Sequence, residues 1–328
     1  MARAGNLGER RIIEIIWEQL ERDPRMSVPF GDDVSATRYR GKNLVVLNTD
    51  MLVGKTDIPP MMSYRAAARK AIVMNVSDFA AKGIKPIGII TSLGIPRNMT
   101  RKDIVQIGRG LNSGAREYNT YVLGGDTNET EDLIISITVF GLAREGSLML
   151  RNGATPGDIL ATTGDFGLTS AGLKILIEKL HVPPEIRRKI LESVLKPHAR
   201  LREGIALAKT GAITASIDSS DGLAWCLHEI GKASNVGFTI ENLPIAREAY
   251  EFAKKHNLDP LELGFYGGEE YELVFTVKPK QWKDVRTVLK EIGGNAIRIG
   301  RAIEKEGLFL LRNGRSVKIE EKGFEHFG

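Results

Sequence analysis

Acidic residues recur beside small residues where strands are predicted to end or helices to begin. Six short segments carry them: Gly31-Asp32-Asp33, Asn48-Thr49-Asp50, Asn75-Val76-Ser77-Asp78, Gly124-Gly125-Asp126, Asp218-Ser219-Ser220-Asp221 and Gly267-Gly268-Glu269. Active sites are commonly built at the ends of rigid elements. A single Asp in such a position is more often a turn former or a helix N-cap, but six such segments in one chain favour a shared role.

Carboxylates gathered in this number predict bound divalent cations, because negative charges without counter-ions would repel one another. Mg²⁺ takes oxygen ligands in octahedral geometry and commonly joins one or two carboxylates to phosphate oxygens. The sequence therefore predicts more than one Mg²⁺ and phosphoryl-transfer chemistry. It contains neither HExxH nor CxxC, the patterns that would indicate zinc, and its five histidines are scattered.

Two segments that resemble nucleotide-binding loops do not fit those motifs. Gly54-Lys55-Thr56 looks like the end of a P-loop, but Thr49 stands where the first glycine belongs, and the segment runs into Pro59 and Pro60. Gly108-Arg109-Gly110 lies inside a helical pattern with no strand before it. If ATP binds, it does so through a different architecture.

The composition favours a globular protein of two domains. The chain has 328 residues, 42% of them hydrophobic, and a net charge of +5. Basic and acidic residues alternate without a run of five like charges, which predicts a solvated surface and no nucleic-acid partner. A single cysteine, Cys226, excludes an internal disulfide. Without an apolar leader or an 18-residue apolar span, we expect a cytoplasmic protein with no membrane partner.

The hydrophobic pattern predicts a mixed α+β half followed by an α/β half, with domains at 1–148 and 149–328. In the first half, helices are predicted at 7–22, 63–82 and 100–118, and strands at 44–49, 87–95, 121–124 and 133–142. The first helix should bury Ile12, Ile13, Ile15, Ile16 and Leu20. In the second half, strands at 158–163, 213–217, 271–277 and 296–303 alternate with helices. Asn313-Gly314 predicts a β-hairpin near the end of the chain.

Taken in order, these segments resemble the thiamine-monophosphate kinase family, within the superfamily typified by aminoimidazole ribonucleotide synthetase. GDDVS is similar to GDDAA, NTDMLV to TTDMLV, NVSDFAAKGIKP to NLSDLAAMGAKP, and VLGGDT to GGDT. TGDFGLTSAGL, IDSSDGLAWCLHEI and GGEEYELVFT match three further segments. The resemblance extends from about residue 9 to the end of the chain.

The resemblance implies an N-terminal mixed sheet that forms a barrel across a homodimer, and a C-terminal α/β domain. It implies transfer of the γ-phosphoryl of ATP to thiamine monophosphate. We expect catalysis to depend most on Asp78 and Asp218, as the ligands that bridge the cations. The implied magnesium ligands are Asp33, Asn48, Thr49, Asp50, Asp78, Asp126, Asp218 and Asp221. The implied ATP contacts are Gly125, Asp126, Arg151 and Ser220, and the implied acceptor contacts are Asp57, Glu269 and Phe324.

The chain departs from the family pattern at one position that affects the acceptor. Asp57 stands where the family usually has a substrate-contacting His.

Three alternative functions lie close to the kinase interpretation. Selenophosphate synthesis would need a reactive Cys near the N-terminus, where the first 30 residues contain none. A ring-closing synthetase would lack GGEEYEL and GFEHF, and a nucleotide-binding maturation protein would end in a cysteine-bearing tail.

Overall fold

The N-terminal half is a five-stranded sheet with helices on one face. The computed structural model of the protein describes residues 3–312 and 314–326. The elements of this half are α1 Glu9–Trp17, β1 Ser35–Arg40, β2 Asn43–Val53, α2 Gly54–Asp57, α3 Tyr64–Lys82, β3 Pro86–Ile95, α4 Arg101–Glu117, β4 Val122–Glu129 and β5 Ile134–Arg144. The strands lie in the order β1-β2-β5-β3-β4, and only β3 and β4 run parallel. The predicted mixed sheet is confirmed.

The two faces of this sheet differ in what covers them. In β2, Leu44, Val46 and Leu52 are buried on the face that carries α3, whereas Leu47 and Met51 are exposed on the other. Successive strand residues point to opposite faces, so Asn48 and Asp50 share the covered face and Thr49 lies on the open one. This alternation decides which predicted ligands can meet.

Helix α3 lies between the two halves of the protein. It begins at Ser63, whose side chain accepts a hydrogen bond from Ala66 N, and it ends at Gly83 with a φ of 71°, as the glycine predicted. A Cβ on Gly204 would lie 1.9 Å from Ala80 O. A helix of the second half therefore packs directly against the backbone of α3.

The C-terminal half is a seven-stranded sheet with helices. Its elements are β6 Ile159–Thr162, α5 Leu168–Ile177, α6 Pro184–Leu195, α7 Leu201–Thr210, β7 Ile213–Asp218, α8 Leu223–Ser234, β8 Gly237–Ile240, α9 Arg247–Lys255, α10 Pro260–Tyr266, β9 Leu273–Val277, α11 Trp282–Glu291, β10 Ile297–Ile303, β11 Leu308–Arg312 and β12 Arg315–Ile319. The strand order is β12-β11-β8-β10-β6-β9-β7. Strands β11 and β12 pair antiparallel as the predicted hairpin requires, while Asn313 itself lies outside the described residues.

The first helix is shorter and more exposed than predicted. It spans Glu9–Trp17 rather than 7–22, it contains no buried residue, and Ile13 and Ile16 are 44% and 56% exposed. The prediction that its isoleucines point into a core is therefore wrong. Its attachments are at its two ends, where Arg10 lies over the Trp225 ring and Trp17 stacks on Phe30.

Several elements were not predicted from the sequence. Strand β1 reads SATRYR, which is too polar for a strong strand signal, and β8 is only four residues long. Helices α9 and α10 were also missed. Within residues 3–312 and 314–326, no helix is long and apolar enough to span a bilayer.

Candidate active site

Side chains from β2 and α3 form the first part of the site. Asn48 Nδ2 donates to Asp78 Oδ2 at 2.7 Å and to Asp33 O at 3.1 Å. Asp50 and Asp78 lie close enough for each to act on the pKa of the other, and the backbone N–H of Asp50 donates to Asn75 Oδ1 at 2.9 Å. Asn75 and Asp78 lie on one face of α3, as their spacing predicted.

The second half of the protein adds Asp218, at the end of β7. Ser77 Oγ donates to Asp218 Oδ2 at 2.6 Å. Asp33, Asp78 and Asp218 each offer a carboxylate oxygen, and these three oxygens lie within 4.8 Å of one another. Asp221 follows β7 and is close enough for its charge to act on Asp218. We call Asp33, Asp50, Asp78, Asp218 and Asp221 the acidic group.

Burial raises the pKa of most carboxylates in the acidic group, and their mutual repulsion adds to the effect. The pKa of Asp78 lies well above its ordinary value because of burial and then the charge of Asp218. Burial also raises the pKa of Asp50, of Asp218 to about 7 and of Asp221 to about 6. A carboxylate without a counter-ion holds its proton in this way, so the acidic group favours bound cations.

The donor atoms of the acidic group fit Mg²⁺. All of them are oxygens, the ligand type that this ion requires. The amide oxygen of Asn48 is buried and has no hydrogen-bond partner among the residues that the structure describes. Buried polar atoms are nearly always satisfied, so this oxygen, beside Asp78, is available to a ligand.

Asp33 differs from the rest of the acidic group because it already has two cationic partners. Arg151 Nε donates to Asp33 Oδ1 at 2.7 Å, and Lys82 Nζ lies 2.7 Å from Asp33 Oδ2. Burial alone would raise the pKa of Asp33, but the charges of Arg151 and Lys82 outweigh it and lower the pKa. Arg151, a predicted ATP contact, also donates to Gly31 O at 2.6 Å and to Glu229 at 3.0 Å.

Three predicted site residues do not join the acidic group within one chain. Thr49 Oγ1 donates to Ile137 O at 3.0 Å on the open side of β2. Asp126 is in register with Ser92, Ser92 with Ser136, and Ser136 with Met51. This register places Asp126 on the open face as well, three strands or about 14 Å from Met51. Gly125 precedes Asp126 on the same edge strand, β4.

The predicted acceptor residues are connected through Lys70, a lysine of α3 that is only 1% exposed. Its ammonium group donates to Asp57 O at 3.1 Å and forms an ion pair with Glu269. The Asp57 carboxylate accepts a hydrogen bond from Val53 N at 2.7 Å, so it also closes the turn after β2. Glu269 N donates to Ser220 O at 2.6 Å, which puts a predicted ATP contact and a predicted acceptor contact side by side.

Phe324 lies in the C-terminal tail beside the acidic group. Its backbone N–H donates to Asp221 O at 3.0 Å, and its ring is about half exposed. Glu9 approaches from α1: its carboxylate accepts a hydrogen bond from His326 N at 3.1 Å, and its charge acts on Asp50 and Asp221. The two ends of the described chain thus meet at the site.

Sequence reasoning missed Ser77, Lys70, Lys82 and Glu9. Ser77 lies in the segment Asn75-Val76-Ser77-Asp78, but only the Asp that follows it was predicted to bind cations. Lys82 had a signal, because a lysine among alanines on a helix with no clear polar face is unusual unless it has a buried partner. The contacts of Lys70 and Glu9 join residues that are distant in sequence, and no pattern indicates them.

The fold and the acidic group define an AIR synthase related protein. The family model for the N-terminal domain of such proteins matches residues 31–143, and the model for the C-terminal domain matches residues 155–312. Within this class, the chain belongs to the thiamine-monophosphate kinase family, as its curated relatives indicate.

Two of these relatives and one solved structure illustrate the similarity. Thiamine-monophosphate kinase of Nitrosopumilus maritimus is 38% identical over 88% of this chain and 91% of its own length. The enzyme of that name from Pyrococcus horikoshii is 37% identical over 97% of this chain and 96% of its own. The structure described as AaThiL complexed with AMPPCP and TMP matches with a TM-score of 0.86 at 28% identity, over 99% of both chains.

Proposed function

We propose that the protein transfers the γ-phosphoryl group of ATP to thiamine monophosphate, giving thiamine diphosphate and ADP. The observation that carries the proposal is the meeting of Asp33, Asp78 and Asp218 from both halves of the chain. Further support comes from the relatives named thiamine-monophosphate kinase and from the neighbour solved with an ATP analogue and TMP.

The acidic group is the proposed magnesium site. Asp33, Asp50, Asp78, Asp218 and Asp221 would hold the cations together with Asn48, whose amide oxygen is unpartnered. When bound, Mg²⁺ would neutralise the charges of the two phosphate groups that must approach each other. We propose more than one ion because the group holds more carboxylates than one ion usually takes.

The chain needs no general base for this reaction. A phosphate monoester has a second pKa of about 6, so the attacking oxygen of thiamine monophosphate is already ionised at pH 7. The single cysteine, Cys226, is buried, and this burial raises the pKa of its thiol. The thiol donates to Asp218 O at 3.1 Å. The residues act by orientation and by electrostatics, in a direct in-line transfer.

Arg151 and Ser220 are the proposed ATP contacts next to the acidic group. Four of the five guanidinium N–H donors of Arg151 are used by Asp33, Gly31 O and Glu229, which hold it at the edge of the group. The remaining N–H and the positive charge would act on a phosphate oxygen. Ser220 follows Ser219 at the end of β7. On the acceptor side we propose Asp57, Glu269 and Phe324, in which two carboxylates would face the cationic thiazolium ring.

We propose that the protein is a homodimer joined through the open face of the N-terminal sheet. Leu47, Met51, Ile90 and Leu142 are exposed there, and an apolar surface of this kind commonly marks an interface. Strand β1 pairs with β2 only from Asn43 to Leu47, which leaves the edge of β2 from Asn48 onward for another strand. A second copy at that edge would form the barrel that the family resemblance implies.

The dimer would also complete the site. Within one chain, Asp126 lies on the face opposite Asp50 and about 14 Å away along the sheet. We therefore propose that Gly125 and Asp126 of one subunit reach the active site of the other. There they would contact the ATP and the cations, close to the Thr49 backbone.

The direct test is incubation of the protein with ATP, Mg²⁺ and thiamine monophosphate, with chromatography of the products. We expect thiamine diphosphate and ADP in equal amounts. Free thiamine run in parallel should give no product, because it lacks the ionised phosphate that attacks ATP. ADP formation without thiamine diphosphate, or phosphorylation of free thiamine alone, would reject the proposal.

A further inference from the structure

Lys82, the last residue of α3, is fully buried and has three polar partners. Its ammonium group donates to Ser216 O at 2.8 Å and lies 2.7 Å from both Asp32 Oδ1 and Asp33 Oδ2. Of these three contacts, the one with Ser216 O is a hydrogen bond and the two with Asp32 and Asp33 are ion pairs. Since Ser216 lies in β7, the ammonium joins the loop of Asp32 and Asp33 to the C-terminal half.

Charge around the acidic group is unevenly balanced. On the side of Asp33, the cations Lys82 and Arg151 are paired with Asp32, Asp33 and Glu229. Asp50, Asp78, Asp218 and Asp221 form no ion pair with any lysine or arginine among residues 3–312 and 314–326. Two cations thus offset most of the negative charge on one side of the group, and none among the described residues does so on the other.

We infer that Lys82 is a built-in counter-ion that neutralises Asp32 and part of the charge of Asp33, in place of an additional divalent cation. With Lys82 in that position, Asp33 is held in place before any metal binds, and fewer divalent ions are needed to balance the group. The inference deepens the proposed function, because it states how this chain assembles the same site.

The test is to remove only the charge of Lys82 and to count bound cations. Lys82→Gln keeps N–H donors but leaves Asp32 and Asp33 without their ammonium partner. Without nucleotide, we expect the variant to bind an additional Mn²⁺ in titrations followed by electron paramagnetic resonance. We also expect saturating Mg²⁺ to raise its unfolding midpoint by on the order of 5 °C more than that of the wild type.

Matched variants separate this role from ordinary stabilisation. Lys70→Gln changes the other fully buried lysine of α3, which pairs with Glu269 outside the acidic group; it should lose stability while its Mn²⁺ count stays at the wild-type value. The double variant Lys82→Gln with Asp32→Asn restores the net charge, so the count should return to the wild-type value. Asp32→Asn alone leaves excess positive charge and should weaken Mn²⁺ binding about 10-fold.

If Lys82→Gln does not fold, the Asp32→Asn variant tests the inference instead, because it should bind Mn²⁺ more weakly than the wild type. The inference would be overturned by a wild-type Mn²⁺ count and Mg²⁺ response in Lys82→Gln, or by a wild-type Mn²⁺ affinity in Asp32→Asn. The titration uses no nucleotide or acceptor, so a wild type without kinase activity would reject the proposed function and leave the cation count readable.

Discussion

Ser77 donates a hydrogen bond to Asp218 across the boundary between the two halves of the protein, with 2.6 Å between Oγ and Oδ2. Both side chains are buried, one on α3 and the other at the end of β7. Because Asp78 follows Ser77 in the same helix, this bond fixes the separation of Asp78 and Asp218. The distance between these carboxylates is therefore set by protein contacts as well as by any ion between them.

Asp78→Asn should lower kcat by about 10²- to 10³-fold while the protein stays folded. The amide oxygen can still accept the hydrogen bond from Asn48, so the packing survives, but the charge that attracts cations is lost. In EDTA at pH 7 the unfolding midpoint should rise, since burial raises the pKa of Asp78 and folding of the variant no longer requires that carboxylate to take up a proton. ADP release and thermal unfolding measure the two effects. Asp284→Asn, on the exposed side of α11, is the control that should change neither, and a wild-type kcat in Asp78→Asn would contradict the assignment.

The metal-free protein should lose stability as the pH rises from about 4 to about 7. Asp218 has a folded pKa of about 7, above its unfolded value of about 3.9. Between those values the folded state therefore binds more protons than the unfolded state. Stability from this group is fully present below the unfolded pKa and is lost as the pH passes through the folded pKa, by on the order of a few kcal/mol.

Urea unfolding in EDTA at several pH values measures this effect, with Asp218→Asn as the comparison. The variant should lack the part of the decline that comes from Asp218, and saturating Mg²⁺ should flatten the wild-type curve because cations displace the protons. Wild-type and variant curves that run parallel from pH 4 to pH 8 would show that Asp218 does not titrate in this range.

Of two adjacent glycines in β4, Gly125 should not tolerate alanine and Gly124 should. A Cβ on Gly125 would lie 1.8 Å from Thr91 O, whereas a Cβ on Gly124 would have no atom within 4 Å. Gly125→Ala should therefore separate β4 from β3, destabilise the protein by about 1–3 kcal/mol or more, and raise the KM for ATP. Gly124→Ala should leave both the free energy of unfolding and the KM near wild type. Equal effects from the two changes would argue against this pairing of β3 and β4.

Much of the fold could be predicted because hydrophobic period and turn residues specify single elements. Helix α3 and its end at Gly83 follow from local signals, and so do strands β2, β3, β4 and β5 of the N-terminal sheet. Local signals could not show that α1 would stay exposed, because an amphipathic pattern predicts a covered face without naming what covers it. The polar strand β1 is stabilised by pairing with β2, which its own residues do not indicate.

For the site, the sequence identified the acidic residues but not their faces or partners. Thr49 and Asp50 are neighbours in the chain, yet one step along a strand puts their side chains on opposite sides of the sheet. The position of Asp126 depends on the strand order β2-β5-β3-β4, which is a property of the whole sheet. The buried contacts of Lys82 join residues about 50 and 134 positions away and require the tertiary structure.

Mixed dimers should show whether Asp126 serves the site of the partner subunit. Asp78→Asn and Asp126→Asn should each be inactive alone. If Asp78 and Asp126 of one working site come from different chains, a mixed dimer of these variants contains one intact site and one site that lacks both residues. Equal amounts that are unfolded and refolded together should then recover about a quarter of wild-type activity, since half of the dimers are mixed and half of their sites are intact.

The control is Asp78→Asn mixed with Asp218→Asn. These carboxylates meet within one chain, so every mixed site lacks one of them and activity should stay absent. No recovery in the test pair would mean that Asp126 acts within its own chain or not at all. Recovery in the control would mean that Asp78 and Asp218 of one site come from different chains.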